Sequence, residues 1–249
     1  MNHLRNWSLG FLGTAVAVVV SYFWLDRPIA QFAHQELHGF HLFEKLTLIP
    51  DALTPLAVVA FMVLGLRGLT RRPLSKFQTV MLLSGVSLAV AVIIKDQLKF
   101  VFGRTWPETW IRNNPSFIRD SIYGFHPFHG GAGYSSFPSG HTVAICTVMT
   151  VLWICYPKFR PVYGLCMAAV AVGLVGANFH FLGDVIAGGF LGISAGWLAV
   201  ALWEIGDRQV RPPAASDAVR SGFSAPLKAN NKQPPASAPG TRSPVLLPE

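Results

Sequence analysis

Six stretches of this chain are apolar for long enough, or nearly so, to cross a hydrocarbon core that takes about 20 helical residues. They fall near residues 9–25, 53–69, 80–102, 141–156, 161–181 and 185–205. Lipid offers no partner to a backbone N–H or C=O, so each crossing must satisfy its own hydrogen bonds. The expected fold is therefore all-α, an integral membrane bundle of six transmembrane helices over residues 1–206, followed by a tail over 207–249. Composition agrees: 51% of residues are hydrophobic and 13% charged, about half the charged share of a soluble domain. That balance argues against a soluble enzyme, a disordered chain and a nucleic-acid module, even with a net charge of +8.

The first stretch follows Arg5 and ends in Tyr22-Phe23-Trp24-Leu25, where a cleaved secretory signal would carry small residues, so it is read as a retained span. Residues 26–51 mix His, Glu and Phe without a spanning run and are expected to lie along the membrane surface. Cys146, Cys155 and Cys166 fall in apolar stretches without C-x-x-C spacing and read as small hydrophobes. Trp7, Trp24, Trp153 and Trp203 sit near predicted span ends as interfacial anchors.

Orientation follows from the cations. The set of loops containing the N-terminus carries 13 Lys and Arg against four acidic residues, and the opposite set seven against eight. Both termini are expected in the cytoplasm, so the +8 reports topology. From about Gly206 onward Pro, Ala, Ser, Lys and Arg predominate, and the tail is expected to be a disordered cytoplasmic extension that rests on anionic lipid.

The residues that look chemical lie on the other side. Lys99 lies near the end of the third stretch with Arg104 just beyond it, and Pro138-Ser139-Gly140-His141 leads into the fourth. A Ser-Gly turn at a helix start gathers a hydroxyl, backbone N–H groups and the positive end of the helix dipole into an anion site. His180 and Asp184 stand four apart, a spacing that on one helical face lets the carboxylate hold one imidazole nitrogen and leave the other nucleophilic. Two histidines, a carboxylate, an anion-binding turn and two cations are the parts of a metal-free phosphoryl-transfer site. One histidine attacks phosphorus, the other protonates the leaving oxygen, and the cations hold the non-bridging oxygens.

In these motifs the sequence resembles the type 2 phosphatidic acid phosphatases, whose active-site plan is shared with the vanadium haloperoxidases. Pro138-Ser139-Gly140-His141 and His180-Phe-Leu-Gly-Asp184 match in order, and the similarity spans about residues 80 to 200. The resemblance implies that His180 is the nucleophile, Asp184 its orienting partner and His141 the general acid. It makes Ser139, Gly140 and Lys99 phosphate ligands and implies no cofactor and no metal.

Two positions depart from the family pattern. Its Arg-Pro is Trp106-Pro107 here, with Arg104 two residues earlier, and Arg104 is assigned the phosphate role. The arginine six residues before the last histidine is Leu174, with Asn178 as a substitute donor. Lys95 and Asp96 read as a surface ion pair, and the loop containing His126 and His129 as a cover that selects the headgroup rather than a metal site. The resulting expectation is a bacterial inner-membrane enzyme that hydrolyses a lipid phosphate or diphosphate on the periplasmic face. Its partners are membrane lipids and no nucleic acid. The rivals are a haloperoxidase and a non-catalytic lipid-phosphate binder.

Overall fold

Long apolar runs with side chains to bury on several faces form helices here, as described for residues 2–70, 73–110 and 113–210 by the computed structural model. Helix α1 (Asn2–Val20) continues through a π-helical turn at Ser21–Leu25 into α2 (Asp26–Phe32), and a second π-turn covers Ala33–Leu37. After a turn at His38–Phe40, α3 runs from His41 to Leu69, through Pro50 and Pro55. The expectation of a surface segment over residues 26–51 is thereby corrected, because these residues extend two helices of the bundle. Asp26 looked like a span end, yet it is buried and neutralised by a distant partner. The two prolines are accommodated within α3, as membrane helices often allow.

Helix α4 (Lys76–Phe102) opens with a capping box, in which Ser75 and Gln78 each bond the other's backbone N–H. It stops at Gly103, whose φ of 55° is left-handed and whose missing Cβ would stand 1.9 Å from the carbonyl oxygen of His126. Only glycine fits there. The connection that follows contains α5 (Phe117–Asp120). It is tied back by isolated bridges from Arg104 to Phe125 and Ser135 and from Trp106 to Ser116.

Helices α6 (Gly140–Cys155), α7 (Arg160–Gly176) and α8 (Leu182–Val210) complete the described chain. Among the described residues no β-strand forms. Five helical segments are long and apolar enough to span a bilayer: Leu4–Leu37, His41–Leu69, Lys76–Phe102, Pro157–Gly176 and Leu182–Asp207. Helix α6 is a shorter apolar helix of 16 residues, about 24 Å against a hydrocarbon core of about 30 Å. Its residues Thr142 through Val151 are all buried, so it is the interior helix of the bundle.

Around α6, helix α3 packs against α4 and α7, and α6 itself against α4 and α7. Ile145, Cys146, Met149, Val170, Leu174 and Val185 form the main buried cluster. Helix α8 reaches α6 through Gly188, Gly192 and Gly196, four residues apart on one face. A Cβ at Gly192 would stand 2.6 Å from the Val143 carbonyl oxygen, and one at Gly196 2.6 Å from that of Thr147. Hydrophobicity cannot drive helices together inside lipid, and close backbone approach of this kind does so instead. Leu12, Leu56 and Met62 face outward where lipid would cover them.

Cys146 is buried, and Cys155 and Cys166 are half-buried thiols. Residues 211–249 of the expected tail lie outside the described residues.

Candidate active site

Alternating helix directions bring the C-terminal ends of α4 and α7 and the N-terminal ends of α6 and α8 to one end of the bundle, beside the 103–139 connection. The chemical residues collect there. Helix α7 ends at Gly176, five residues before the expected end of the fifth span. Asn178 then takes a left-handed φ of 57° and turns the chain into α8. His180 therefore lies in the turn and Asp184 in the first turn of α8. They meet across a helix start, which corrects the expectation that they share a helical face.

Asp184 is fully buried and its carboxylate is saturated. Oδ2 accepts from Ser136 Oγ at 2.6 Å and from the Phe181 N–H at 3.1 Å, and Oδ1 accepts from Arg104 Nη1 at 2.6 Å. His180 Nδ1 lies 3.5 Å from Asp184 Oδ2 and 3.3 Å from Ser136 Oγ. This arrangement occupies Nδ1 and directs Nε2 away from the carboxylate. Burial pushes the His180 pKa below the ordinary histidine value, and Asp184 pulls it the other way without prevailing. Burial thus favours the neutral imidazole over the imidazolium.

His180 forms part of the wall of a cavity of about 690 Å³ between α3, α4, α6 and the connecting loop. Lys95, Lys99, Gly140 and His141 also line it, with Trp106, Trp110 and Phe179 as aromatic walls. Four of the residues expected in the site, Lys99, Gly140, His141 and His180, therefore face one cavity. Gly140 and His141 are the first two residues of α6, so the positive end of its dipole is directed at the cavity. Ser139 stands behind them. It is fully buried and caps α6, with Oγ accepting from Thr142 N at 3.4 Å and from Thr142 Oγ1 at 3.1 Å, while its own N–H donates to the Asp184 carbonyl oxygen.

Arg104 is not where the phosphate role required it. The side chain is fully buried behind His180, with Nη1 on Asp184 and Nη2 on Asp26 Oδ2 at 2.5 Å. The rings of Phe181, Phe125, Tyr22 and Tyr123 stand 4.5–5.5 Å from its guanidinium carbon. Burial would lower its proton affinity, but Asp184 and Asp26 outweigh that and keep it charged well above the ordinary range. Its short spacing from the missing Arg-Pro position suggested a reach into the cavity. Instead, two carboxylates hold it in the opposite direction, which makes it a support for Asp184.

The other departures also have structural uses. Trp106 packs tilted against the His180 ring with centroids 5.0 Å apart, carries Lys99 Nζ at 5.8 Å over its face, and is anchored by Nε1 donating to Ala132 O. Leu174 is fully buried in the core. The Asn178 amide donates to Ala30 O and to Glu108 Oε2, so it braces the turn rather than entering the cavity.

Several participants escaped the sequence reading. Asp51, on α3 between the two prolines, places Oδ1 3.1 Å from His141 Nε2. Asp26 holds Arg104, and Ser136 links His180 to Asp184. Lys95, read as a surface ion pair, does pair with Asp96 at 2.6 Å but lines the cavity as well. An acidic residue directly at the end of an apolar run was the available signal for Asp26. No local pattern marks Asp51, because its partner is 90 residues away.

Comparison with known proteins places this geometry. The chain is 28% identical over 108 residues to a lipid A 1-phosphatase of Rhizobium etli, covering 43% of this chain and 42% of that protein. It is 28% identical over 96 residues to a lipid A 1-phosphatase of Rhizobium johnstonii, covering 39% and 36%. The matched segment thus spans well under half of these relatives. In fold it is similar to the PAP2-type phosphatidylglycerolphosphate phosphatase of Bacillus subtilis, with a TM-score of 0.50 at 17% identity over 84% of this chain and 98% of that one. Residues 80–205 match the family model of the PAP2 superfamily, a segment that contains every cavity-lining histidine and lysine, and this multi-pass helical membrane protein belongs to that superfamily.

Proposed function

We propose that the protein is a metal-independent lipid phosphatase that works through a phosphohistidine at His180, on the periplasmic face of a bacterial inner membrane. The observation that carries this reading is His180 itself. Its Nδ1 is held by Asp184 and Ser136, its ring is kept neutral by burial, and it forms part of a cavity wall shared with a second histidine and two lysines.

In the first step Nε2 attacks phosphorus and the bond to the leaving oxygen breaks, with His141 donating the proton that oxygen needs. Lys99, Lys95 and the N-terminal amides of α6 face the non-bridging oxygens. The imidazole becomes cationic as the N–P bond forms. Behind it Asp184 and Asp26 carry two negative charges against the single positive charge of Arg104, and this net negative support stabilises the intermediate. In the second step His141 removes a proton from water, which attacks phosphorus and releases phosphate and neutral His180. Asp51 is positioned to hold the His141 ring through both steps.

The cavity continues from this polar end past Val92, Thr54 and Ala144 on the spanning helices, a wall suited to the first part of an acyl or prenyl chain. A glycolipid 1-phosphate of the lipid A type is the leading substrate class, since the relatives named above act on it. Phosphatidylglycerol phosphate and polyprenyl diphosphate follow.

The test is phosphate release from these three lipids by the purified protein in detergent. Turnover of at least one, lost in His180→Ala together with an acid-labile phosphoprotein intermediate, is the expected result. Lipid-phosphate binding by the intact protein without release would assign it to a non-catalytic binder, a reading that Trp106 and Leu174 at the two family arginine positions favour.

A further inference from the structure

His34, His38 and Glu108 gather where the end of the first long helix meets the 103–139 connection. One ligand atom from each comes within 4.8 Å of the others. His34 Nδ1 is 2.5 Å from Glu108 Oε1, and the two imidazole rings are 5.6 Å apart. We propose that these three side chains bind a zinc-class divalent ion that clamps the active-site loop to the first helix.

The donor set fits that class. Two imidazoles and one carboxylate, with one position left to water, suit Zn²⁺ in tetrahedral geometry, whereas Mg²⁺ and Ca²⁺ select oxygen donors. The histidines stand four apart, one in the π-turn Ala33–Leu37 and the other just after it, where the backbone becomes extended. The free carboxylate oxygen is already oriented, because Glu108 Oε2 accepts from Asn178 Nδ2 at 3.3 Å. Such outer contacts align a ligand before the metal arrives. The Glu108 backbone is fixed too, since its carbonyl accepts from Asn114 Nδ2. His34 Nδ1 and Glu108 Oε1 are in direct contact, so the ion enters between them and the two donors move apart to the spacing of neighbours on a tetrahedral centre.

The ion takes no part in the phosphoryl chemistry. Its effect is to hold Glu108, and through it the segment that carries Trp106 and Trp110 into the cavity wall, against the helix that supplies Asp26. This inference does not depend on the proposed activity.

The test is calorimetric titration of ZnCl₂ into the purified full chain in detergent after removal of metal by chelator. One equivalent should bind, with a Kd of about 1 µM or tighter. The stoichiometric step should disappear in His38→Ala and in Glu108→Gln and persist in the control variant His126→Ala/His129→Ala. Zinc should also raise the melting temperature of the wild type and leave that of Glu108→Gln unchanged. His38 is exposed, so its replacement keeps the test independent of folding. No binding by the wild type, or binding that survives in both site variants, overturns the proposal.

Discussion

Arg104 is held behind His180 by two carboxylates and does not line the cavity. Removing it would leave Asp26 and Asp184 buried without a counter-charge, and breaking a buried ion pair in this way costs about 3–5 kcal/mol. Arg104→Met is therefore expected to lower the melting temperature by about 10 °C and to reduce turnover through misplacement of Asp184, read by thermal unfolding in detergent and by kcat. A variant that melts like the wild type would mean that the triad contributes nothing to stability. His180 yields a second expectation at this scale. Its pKa is lowered by burial, so the neutral nucleophile persists as pH falls, and protonation removes it only below the ordinary value of about 6.5. The acid limb of kcat/KM should have its midpoint under that value. Asp184→Asn removes the charge that opposes this shift, so the limb should move lower still while the rate drops by about 10²–10⁴, as for other oriented histidines. An acid limb at or above the ordinary value would contradict the burial argument.

Among the elements, α6 and α8 decide whether the site assembles. Ser139 caps α6 and its N–H holds the carbonyl of Asp184, so the N-termini of the two helices are joined directly at the site. Below that joint, the glycines at 188, 192 and 196 set the distance between the helices. Gly192→Val would place side-chain carbon where the Val143 carbonyl and Cys146 already stand. The cost is expected at about 1–3 kcal/mol, seen as a lower melting temperature and a loss of activity without any change at a chemical residue. Gly206→Val, with nothing within 4 Å of its Cβ position, serves as the comparison and should change neither. Glycines in an apolar run are visible in the sequence, but the helix they face is not. The same limit explains Leu174, which occupies a family arginine position, and Asn178, which looks like its substitute donor: in the fold they are core packing and a turn brace.

For the whole molecule, charge and helix direction make one statement. The end of the bundle that carries the site also carries the basic-poor set of loops, so the site is expected on the periplasmic side and both termini in the cytoplasm. A reporter fused after Glu249 should report cytoplasm, and one inserted at Gly130, where no neighbour lies within 4 Å of a Cβ, should report periplasm. The opposite combination reverses the orientation and with it the compartment of the proposed substrate, and both reporters on one side would contradict the span count between them.

Much of this was legible along the chain. Apolar run lengths established an all-helical membrane protein, and the motifs at 138–141 and 180–184 pointed to residues that meet at one cavity, because both depend on local spacing and local polarity. The fold alone decided how those residues are held. Asp26, Asp51 and Ser136 become partners of Arg104, His141 and His180 only when segments far apart in sequence meet. In a low-dielectric interior a charge is governed by whichever opposite charge packs against it, and neither its neighbours in sequence nor its motif specifies which that will be.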